Sequence, residues 1–264
     1  MAVRGLAPAK VNLTLHVTGR RADGYHLLDS LVAFADFGDV VTVAPGDGLD
    51  VTGPFAKGVP TDASNLICRA LRLAGLRRAV NLEKRLPHPA GLGGGSSDAA
   101  TVLSLAGAKL STADLLSLGA DVPVCTMGRA ARMRGVGEDV VRVDLPPLPA
   151  VLVNPGLSVP TPSVFRALDR VENAGQGELA PFPTPDTALD WLGARRNDLQ
   201  DAAISLAPGI GDVLGAIRQT GAWVTRMSGS GATCFGLYPT QVAANEAAAT
   251  LRRDGWWVRP CTLR

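Results

Sequence analysis

A run of small residues at positions 90–100 constrains this chain more than any other stretch. It is Ala90-Gly91-Leu92-Gly93-Gly94-Gly95-Ser96-Ser97-Asp98-Ala99-Ala100. Because glycine lacks a Cβ and adopts positive φ easily, this backbone can approach a ligand closely. The serines and Asp98 then open an alanine-rich run, which predicts a polar-capped helix over about 97–106. The free N–H groups and positive dipole end of such a helix favour an anion, so the sequence predicts a phosphate site.

The run matches neither of the two common nucleotide-binding motifs. It lacks the lysine of G-x-x-x-x-G-K-[ST], and Ser96 stands where the third glycine of G-x-G-x-x-G would be. A flexible surface loop is the alternative interpretation. The strand-like residues before the run and the helix after it favour the phosphate site.

Composition limits the classes of protein to which the chain can belong. Its 264 residues, 46% of them hydrophobic, suffice for one large or two small domains. With 26 basic and 24 acidic residues, we expect neither a nucleic acid nor a membrane as partner. We see no signal peptide and no apolar run of about 18 residues, and therefore predict a cytoplasmic protein. Scattered cysteines without C-x-x-C spacing predict reduced thiols: Cys68, Cys125, Cys234 and Cys261.

Hydrophobic alternation organises the first half of the chain. A half-buried strand is predicted over 11–17, with Lys10 and Asn12 together on the face opposite the core. The apolar run 27–43 is predicted to form two strands, broken at Gly38 and Asp39. Further predictions are a short strand at 49–51, a helix capped by Ser64 or Asn65, a strand at 80–86, a capping box at 111–114 and a hairpin over 130–144.

Prolines at 146, 147 and 149 predict a boundary between domains 1–148 and 149–264. After it we expect a strand at 150–154, helices near 163–171, 187–192, 199–206 and 210–219, strands at 222–227 and 233–237, a helix at 241–253 and a strand at 256–260. Strand, helices, two strands, helix and strand are the βαββαβ order of a ferredoxin-like domain.

Several polar residues outside the glycine run are candidates for chemistry, and each has a plainer interpretation. Lys10 is typical of a solvated strand face, and Asp121, before Val122-Pro123, is typical of a turn or a helix cap. Tyr25 and His26 follow a turn and suit partly buried packing positions. The loop 228–232 (Ser-Gly-Ser-Gly-Ala) suits a tight hairpin equally well.

In combination these segments resemble the GHMP kinase superfamily, in order and spacing, over nearly the whole chain. The resemblance rests on Ala7-Pro8-Ala9-Lys10-Val11-Asn12-Leu13, Ala22-Asp23-Gly24-Tyr25-His26, Leu86-Pro87 with the glycine run, Gly119-Ala120-Asp121-Val122-Pro123, Val159-Pro160-Thr161-Pro162 and Ser228-Gly229-Ser230-Gly231-Ala232. The first two segments resemble one branch most, whose members phosphorylate the 2-hydroxyl of a diphosphocytidyl-linked sugar alcohol.

The resemblance implies an α+β fold in two domains. The first would be like the second domain of ribosomal protein S5, and the second ferredoxin-like. It also implies ATP and Mg²⁺ as cofactors and a small-molecule substrate, without naming a metal ligand or an oligomeric state.

Roles for individual residues follow from the same resemblance. Asp121 would be the catalytic base, with Lys10 beside it. Asn65 would lie near the adenine, and the triphosphate would be wrapped by Pro89, Ala90, Gly91, Leu92, Gly93, Gly94, Gly95, Ser96 and Ser97. Asn12 and His26 would hydrogen-bond the substrate. Its cytosine would stack on Tyr25 and Phe165, in a pocket lined by Thr161 and Pro162.

Two alternatives stay open at this stage. Another small-molecule GHMP kinase, acting on homoserine or mevalonate, is disfavoured by Tyr25, His26 and Phe165, because those substrates have no base to stack. A non-catalytic nucleotide-binding sensor on the same fold is disfavoured by the presence of both Lys10 and Asp121.

Overall fold

The computed structural model describes all 264 residues, which form eleven strands and nine helices. The strands are β1 (Val3–Asn12), β2 (His16–Arg20), β3 (His26–Pro45), β4 (Gly48–Thr52), β5 (Arg78–Glu83), β6 (Ala131–Gly135), β7 (Asp139–Arg142), β8 (Leu148–Asn154), β9 (Val224–Met227), β10 (Cys234–Leu237) and β11 (Trp257–Leu263). The helices are α1 (Leu66–Leu73), α2 (Gly94–Leu105), α3 (Thr112–Leu118), α4 (Val122–Met127), α5 (Thr161–Arg166), α6 (Pro185–Gly193), α7 (Gln200–Leu206), α8 (Gly209–Gln219) and α9 (Gln241–Leu251). None of the helices has both the length and the apolar character needed to cross a membrane.

All strands belong to one continuous sheet that joins the two halves of the chain. Its main path runs β4-β5-β3-β11-β8-β10-β9, while β1, β2 and β6 also pair with β3 and β7 pairs with β6. The halves meet where β11 reaches β3, at the pair Leu263 and Ala35. The predicted α+β class is confirmed, as is the βαββαβ order after residue 148. The division into two domains at that residue stays a prediction.

Two hydrophobic clusters of 21 buried residues each cover opposite faces of this sheet. Strand β8 contributes to both, because alternate side chains point to opposite faces. Ala150 and Leu152 belong to the cluster shared with β1, β3 and α6, and Val151 and Val153 to the cluster under α7, α8 and α9. Burial on both faces explains why β8 is a continuous apolar run.

The predicted break in the apolar run 27–43 is wrong. Strand β3 continues through Gly38 and Asp39. A side chain at position 38 would collide with the backbone of Ala7, where the β1–β3 register shifts between Pro8 and Lys10. A bulge thus accommodates the glycine, and the fully buried Asp39 is paired rather than exposed at a turn.

The predicted strand over 11–17 is also corrected, since β1 ends at Asn12 and β2 begins at His16. Lys10 and Asn12 do not face solvent; only 3% and 1% of their surfaces are exposed. The glycine run covers β1 at this point, and the Lys10 amide donates to the Leu92 carbonyl at 2.8 Å.

Helix α2 begins at Gly94, three residues earlier than the predicted Ser97, and its N-cap is Gly93 with φ of 61°. No side chain caps it, so the predicted polar cap is wrong. Ser97 and Asp98 instead lie within the first turns and are buried. The glycine backbone thus opens the helix directly, with its N–H groups free of side-chain partners.

Most of the remaining sequence predictions are confirmed. Asn65 caps α1, Ser111 and Asp114 form the capping box of α3, and β6 and β7 form the hairpin. Helix α5 is shorter than predicted, since it ends at Arg166. The four cysteines are free thiols.

Three buried charges lie beneath the start of α2. Lys84 forms ion pairs with Asp39 and, at 2.9 Å, with Asp98. Burial alone would lower the pKa of Lys84, but the charges of Asp98 and Asp39 outweigh it and raise this pKa. For the carboxyl group of Asp98, burial acts in the other direction and raises the pKa to about 7. A Cβ on Gly94 would stand 3.1 Å from Lys84 Nζ, so the cluster supports the glycine run from below.

Replacing Lys84 with methionine leaves two buried carboxylates without their cation, and we expect it to cost about 3–5 kcal/mol of unfolding free energy. Burial already holds the folded-state pKa of Asp98 above its unfolded value. The penalty is therefore absent below the unfolded pKa, and it grows as pH rises through the folded one.

Urea unfolding at about pH 5 and about pH 8 should show the smaller loss at the lower pH. Lys57→Met, at an exposed lysine, is the control and should change little. A Lys84 variant as stable as the control at the higher pH would contradict this account of the cluster.

Candidate active site

A cavity of about 1040 Å³ opens between the two halves of the chain. It is lined by β1, the turn between β2 and β3, the glycine run, the start of α4, helix α5 and the loop 229–231. Clefts of this size that combine apolar walls with a few polar groups are typical of small-molecule sites.

The centre of the cavity holds an ion pair. Lys10 Nζ lies 2.8 Å from Asp121 Oδ1, although 111 residues separate them in sequence. The Lys10 side chain is 4% exposed and that of Asp121 31%. Asp121 stands at the N-cap of α4 without capping it, so the cap interpretation is wrong for its side chain. The carboxyl group thus faces the cavity, with the buried Lys10 ammonium against one oxygen.

The glycine run forms one wall of the cavity. A glycine is needed at its positions for different physical reasons. Gly91 and Gly93 adopt φ of 71° and 61°, which side chains rarely tolerate. A Cβ on Gly91 would also meet the Gly231 carbonyl at 2.9 Å. A Cβ on Gly95 would meet no protein atom within 4 Å. At Gly95 the missing side chain therefore leaves open space in the cavity wall rather than room for another part of the chain.

The second glycine loop, residues 228–232, connects β9 and β10 in a hairpin, as its plainer interpretation predicts. It also forms hydrogen bonds that hold the cavity wall in place. Ser228 Oγ accepts a hydrogen bond from the backbone N–H of Asn12 at 3.0 Å and donates one to the Gly91 carbonyl at 2.8 Å. Asn197 Nδ2 donates to the carbonyls of Met227 and Gly229, both at 2.8 Å. One hydroxyl therefore links the glycine run to β1. Sequence reasoning missed Ser228 in this role, because only folding brings these segments together.

Aromatic side chains form the far end of the cavity. The rings of His26 and Phe165 stack with centroids 4.7 Å apart and an interplanar angle of 25°. Burial, followed by the charge of Arg20, lowers the pKa of His26 below its ordinary value. Tyr25 is 62% exposed and takes no part in the stack. Thr161 Oγ1 lies 2.7 Å from Ser230 Oγ in the same wall.

The cavity brings together most of the residues named from the sequence. It is lined by Lys10, Asn12, Tyr25, His26, Pro89, Ala90, Gly91, Leu92, Gly93, Gly94, Gly95, Ser96, Asp121, Thr161, Pro162 and Phe165. Asn65 and Ser97 are not among its lining residues. Asn65 accepts from the Ile67 amide at 2.9 Å and donates to the Pro60 carbonyl at 2.7 Å, while its neighbour Leu66 does line the cavity. The role of each of these residues with a ligand stays a prediction.

Known proteins match this chain over nearly its full length, and two family models match parts of it. The family described as GHMP kinases N terminal domain matches residues 59–129, and GHMP kinases C terminal matches residues 185–255. The chain is 54% identical to the 4-diphosphocytidyl-2-C-methyl-D-erythritol kinase of Dinoroseobacter shibae, over 99% of this chain and 95% of the relative. It is 53% identical to the kinase of that name from Paracoccus denitrificans, over 97% and 94%.

Solved structures of related kinases also superpose on this chain. A crystal structure of 4-(cytidine 5'-diphospho)-2C-methyl-D-erythritol kinase superposes with a TM-score of 0.79 at 41% identity, covering 99% of each chain. Homoserine kinase from Cytophaga hutchinsonii superposes with a TM-score of 0.66 at 21% identity, over 99% and 95% of the two chains, so that likeness concerns the fold alone. With relatives above 50% identity along almost its full length, the chain belongs to the GHMP kinase family.

Proposed function

We propose that this protein transfers the γ-phosphoryl group of ATP to the 2-hydroxyl of 4-diphosphocytidyl-2-C-methyl-D-erythritol. This places it in non-mevalonate isoprenoid precursor synthesis, in the cytoplasm. The observation that carries the proposal is one cavity with a glycine-lined wall, a Lys10–Asp121 pair at its centre and stacked aromatic rings at its far end. The names of the similar proteins support the choice of substrate.

The glycine run is proposed to hold the triphosphate of ATP. Helix α2 starts inside the run, at Gly94, with no side-chain cap on its first N–H groups. Those groups and the positive end of the helix dipole favour phosphate oxygens. The open space at Gly95 allows the phosphates to approach the backbone. Leu66 supports an adenine site nearby, with Asn65 shaping it by capping α1.

The cavity suits Mg²⁺ carried by the nucleotide rather than an ion held by the protein alone. Mg²⁺ usually takes one or two protein carboxylates together with substrate phosphates and water. The chain has no cluster of three or more His, Cys, Asp or Glu side chains, but Ser96 and Asp121 offer oxygen atoms beside the glycine run. When bound, the ion neutralises charge on the phosphates.

Asp121 is proposed as the base that accepts the proton of the substrate hydroxyl. Lys10 favours the ionised carboxylate through its charge at 2.8 Å, and its ammonium group can also stabilise charge on the transferring phosphoryl group. Catalysis of phosphoryl transfer depends mainly on positioning and charge stabilisation. This pair supplies both next to the glycine run that is proposed to hold the triphosphate.

The aromatic end is proposed to bind the cytosine. In the structure His26 covers one face of Phe165, and Tyr25 stands exposed at the cavity edge. A base stacked on these rings gains about 1–3 kcal/mol per aromatic contact. Asn12 and His26 supply hydrogen-bonding groups, and Thr161 and Pro162 complete the wall.

A coupled ADP-release assay tests the proposal directly. We expect turnover with 4-diphosphocytidyl-2-C-methyl-D-erythritol and none above background with homoserine or mevalonate, because neither of the latter carries a base for the aromatic end. Preferred turnover of either small substrate would replace the proposed acceptor. No turnover with any of the three would favour a non-catalytic nucleotide-binding protein.

Asp121→Asn should reduce kcat to less than about a tenth of the wild-type value while ATP still binds, because the amide keeps the shape but cannot take the proton. Asp23→Asn is a suitable control. Asp23 is the other carboxylate lining the cavity, and it pairs with Arg21. This control should keep most of its kcat, and equal losses in the two variants would remove Asp121 from its proposed role.

Tyr25→Ala and Phe165→Ala should each lower kcat/KM for the cytidyl substrate by about 5- to 150-fold, the equivalent of one lost stacking contact. The KM for ATP should change little, because neither ring belongs to the glycine wall.

Two rings that hold one base should also be non-additive in the double variant. Trp223→Ala, at an exposed aromatic outside the cavity, is the control. Values of kcat/KM within about twofold of wild type in both single variants would overturn the stacking site.

A further inference from the structure

The charges that line the cavity do not balance. Its two carboxylates each have a cation, Asp121 with Lys10 at 2.8 Å and Asp23 with Arg21 at 2.7 Å. Two further guanidinium groups line the cavity, those of Arg20 and Arg166, and neither has a carboxylate within ion-pair distance. The cavity therefore carries two cations for which the chain supplies no anion.

Both arginines belong to the aromatic end. Arg20 is the strand partner of His26 in the β2–β3 register, and its charge helps lower the pKa of that ring. Arg166 directly follows Phe165 at the end of α5. Since the His26 and Phe165 rings stack at 4.7 Å, one arginine is the strand partner of one stacked ring and the other is the sequence neighbour of the second ring.

Neutral contacts hold each guanidinium while leaving most of its donors free. Arg20 Nε donates to the Gly24 carbonyl at 3.3 Å, and Arg166 Nη2 donates to Ser163 Oγ at 3.0 Å. A guanidinium has five N–H donors, and its planar fork fits the oxygens of a phosphate. Two like charges near one pocket repel each other, and an anion between them offsets that repulsion.

We propose that Arg20 and Arg166 bind the diphosphate of the acceptor substrate. This assignment rests on the proposed function, in which the cytosine stacks at His26 and Phe165, so that the diphosphate follows one ribose away. The triphosphate of ATP and the diphosphate of the acceptor are then bound by different kinds of protein group. Backbone N–H groups of the glycine run take the triphosphate of ATP, and arginine side chains take the diphosphate of the acceptor. The arginines thereby discriminate against acceptors that lack a diphosphate.

Calorimetric binding of CDP and of cytidine, with a saturating non-hydrolysable ATP analogue in the other site, separates the diphosphate from the base. The wild-type protein should bind CDP at least about tenfold more tightly than cytidine. Arg20→Gln and Arg166→Gln should each reduce that preference, and the double variant should abolish it. The Kd for cytidine should stay unchanged, which shows that the variants are folded.

Arg21→Gln is the matched control, since Arg21 is adjacent in sequence but is paired with Asp23 and does not line the cavity. It should keep the wild-type preference for CDP. In kinetics, each test variant should raise the KM for the acceptor by about tenfold while kcat and the KM for ATP hold. The wild-type KM should also rise with ionic strength more steeply than that of the double variant.

The outcomes distinguish this assignment from the proposed function. A wild-type protein that fails to turn over the diphosphocytidyl substrate would overturn the proposed function, and this assignment with it. Normal turnover together with equal binding of CDP and cytidine would overturn the arginine assignment alone. So would a preference for CDP that survives in the double variant.

Discussion

The close backbone approach between the glycine run and its neighbours is the contact on which the cavity depends. Lys10 N donates to the Leu92 carbonyl at 2.8 Å, Ser228 Oγ to the Gly91 carbonyl at 2.8 Å and Thr233 N to the Ala90 carbonyl at 3.2 Å. The glycine run thus joins β1 to the loop of the β9–β10 hairpin. These two elements come from opposite halves of the chain. Side chains on Gly91 or Gly93 would push the segments apart, and the proposed phosphate wall would no longer stand beside Lys10 and Asp121.

Charge is distributed in two layers around this contact. Below the run, Lys84 and its two carboxylates are sealed from water, where unscreened attraction holds β3, the segment after β5 and α2 together. Above it, Lys10 is buried but Asp121 reaches the cavity. The lower cluster is structural because no ligand can reach it. The upper pair has a single carboxylate, and that carboxylate is accessible, which is what chemistry on a bound substrate requires.

Sequence reasoning succeeded where a pattern is local and failed where the partner is distant. The cap at Asn65, the capping box at Ser111 and the βαββαβ order depend on neighbouring residues, and the structure confirms them. The break at Asp39 and the polar cap of α2 were wrong for a common reason. Lys84, which lies outside both local patterns, forms ion pairs with Asp39 and Asp98 and allows them to lie within regular structure. Most candidate site residues line one cavity because the family resemblance, unlike periodicity, carries long-range information.

The fold alone does not fix the acceptor, since a homoserine kinase shares it at 21% identity. Selectivity must then lie in side chains outside the shared frame. In this chain Lys10 lies in β1, the glycine run leads into α2 and Asp121 is the N-cap residue of α4, so the proposed phosphate wall and the ion pair are anchored on regular elements. The aromatic rings and the unpaired arginines stand instead around the β2–β3 turn, at the adjoining ends of β2 and β3, and at the end of the short helix α5. Turns and short helices tolerate substitution better than a sheet buried on both faces. This division lets one frame keep its phosphoryl-transfer chemistry while its acceptor end changes.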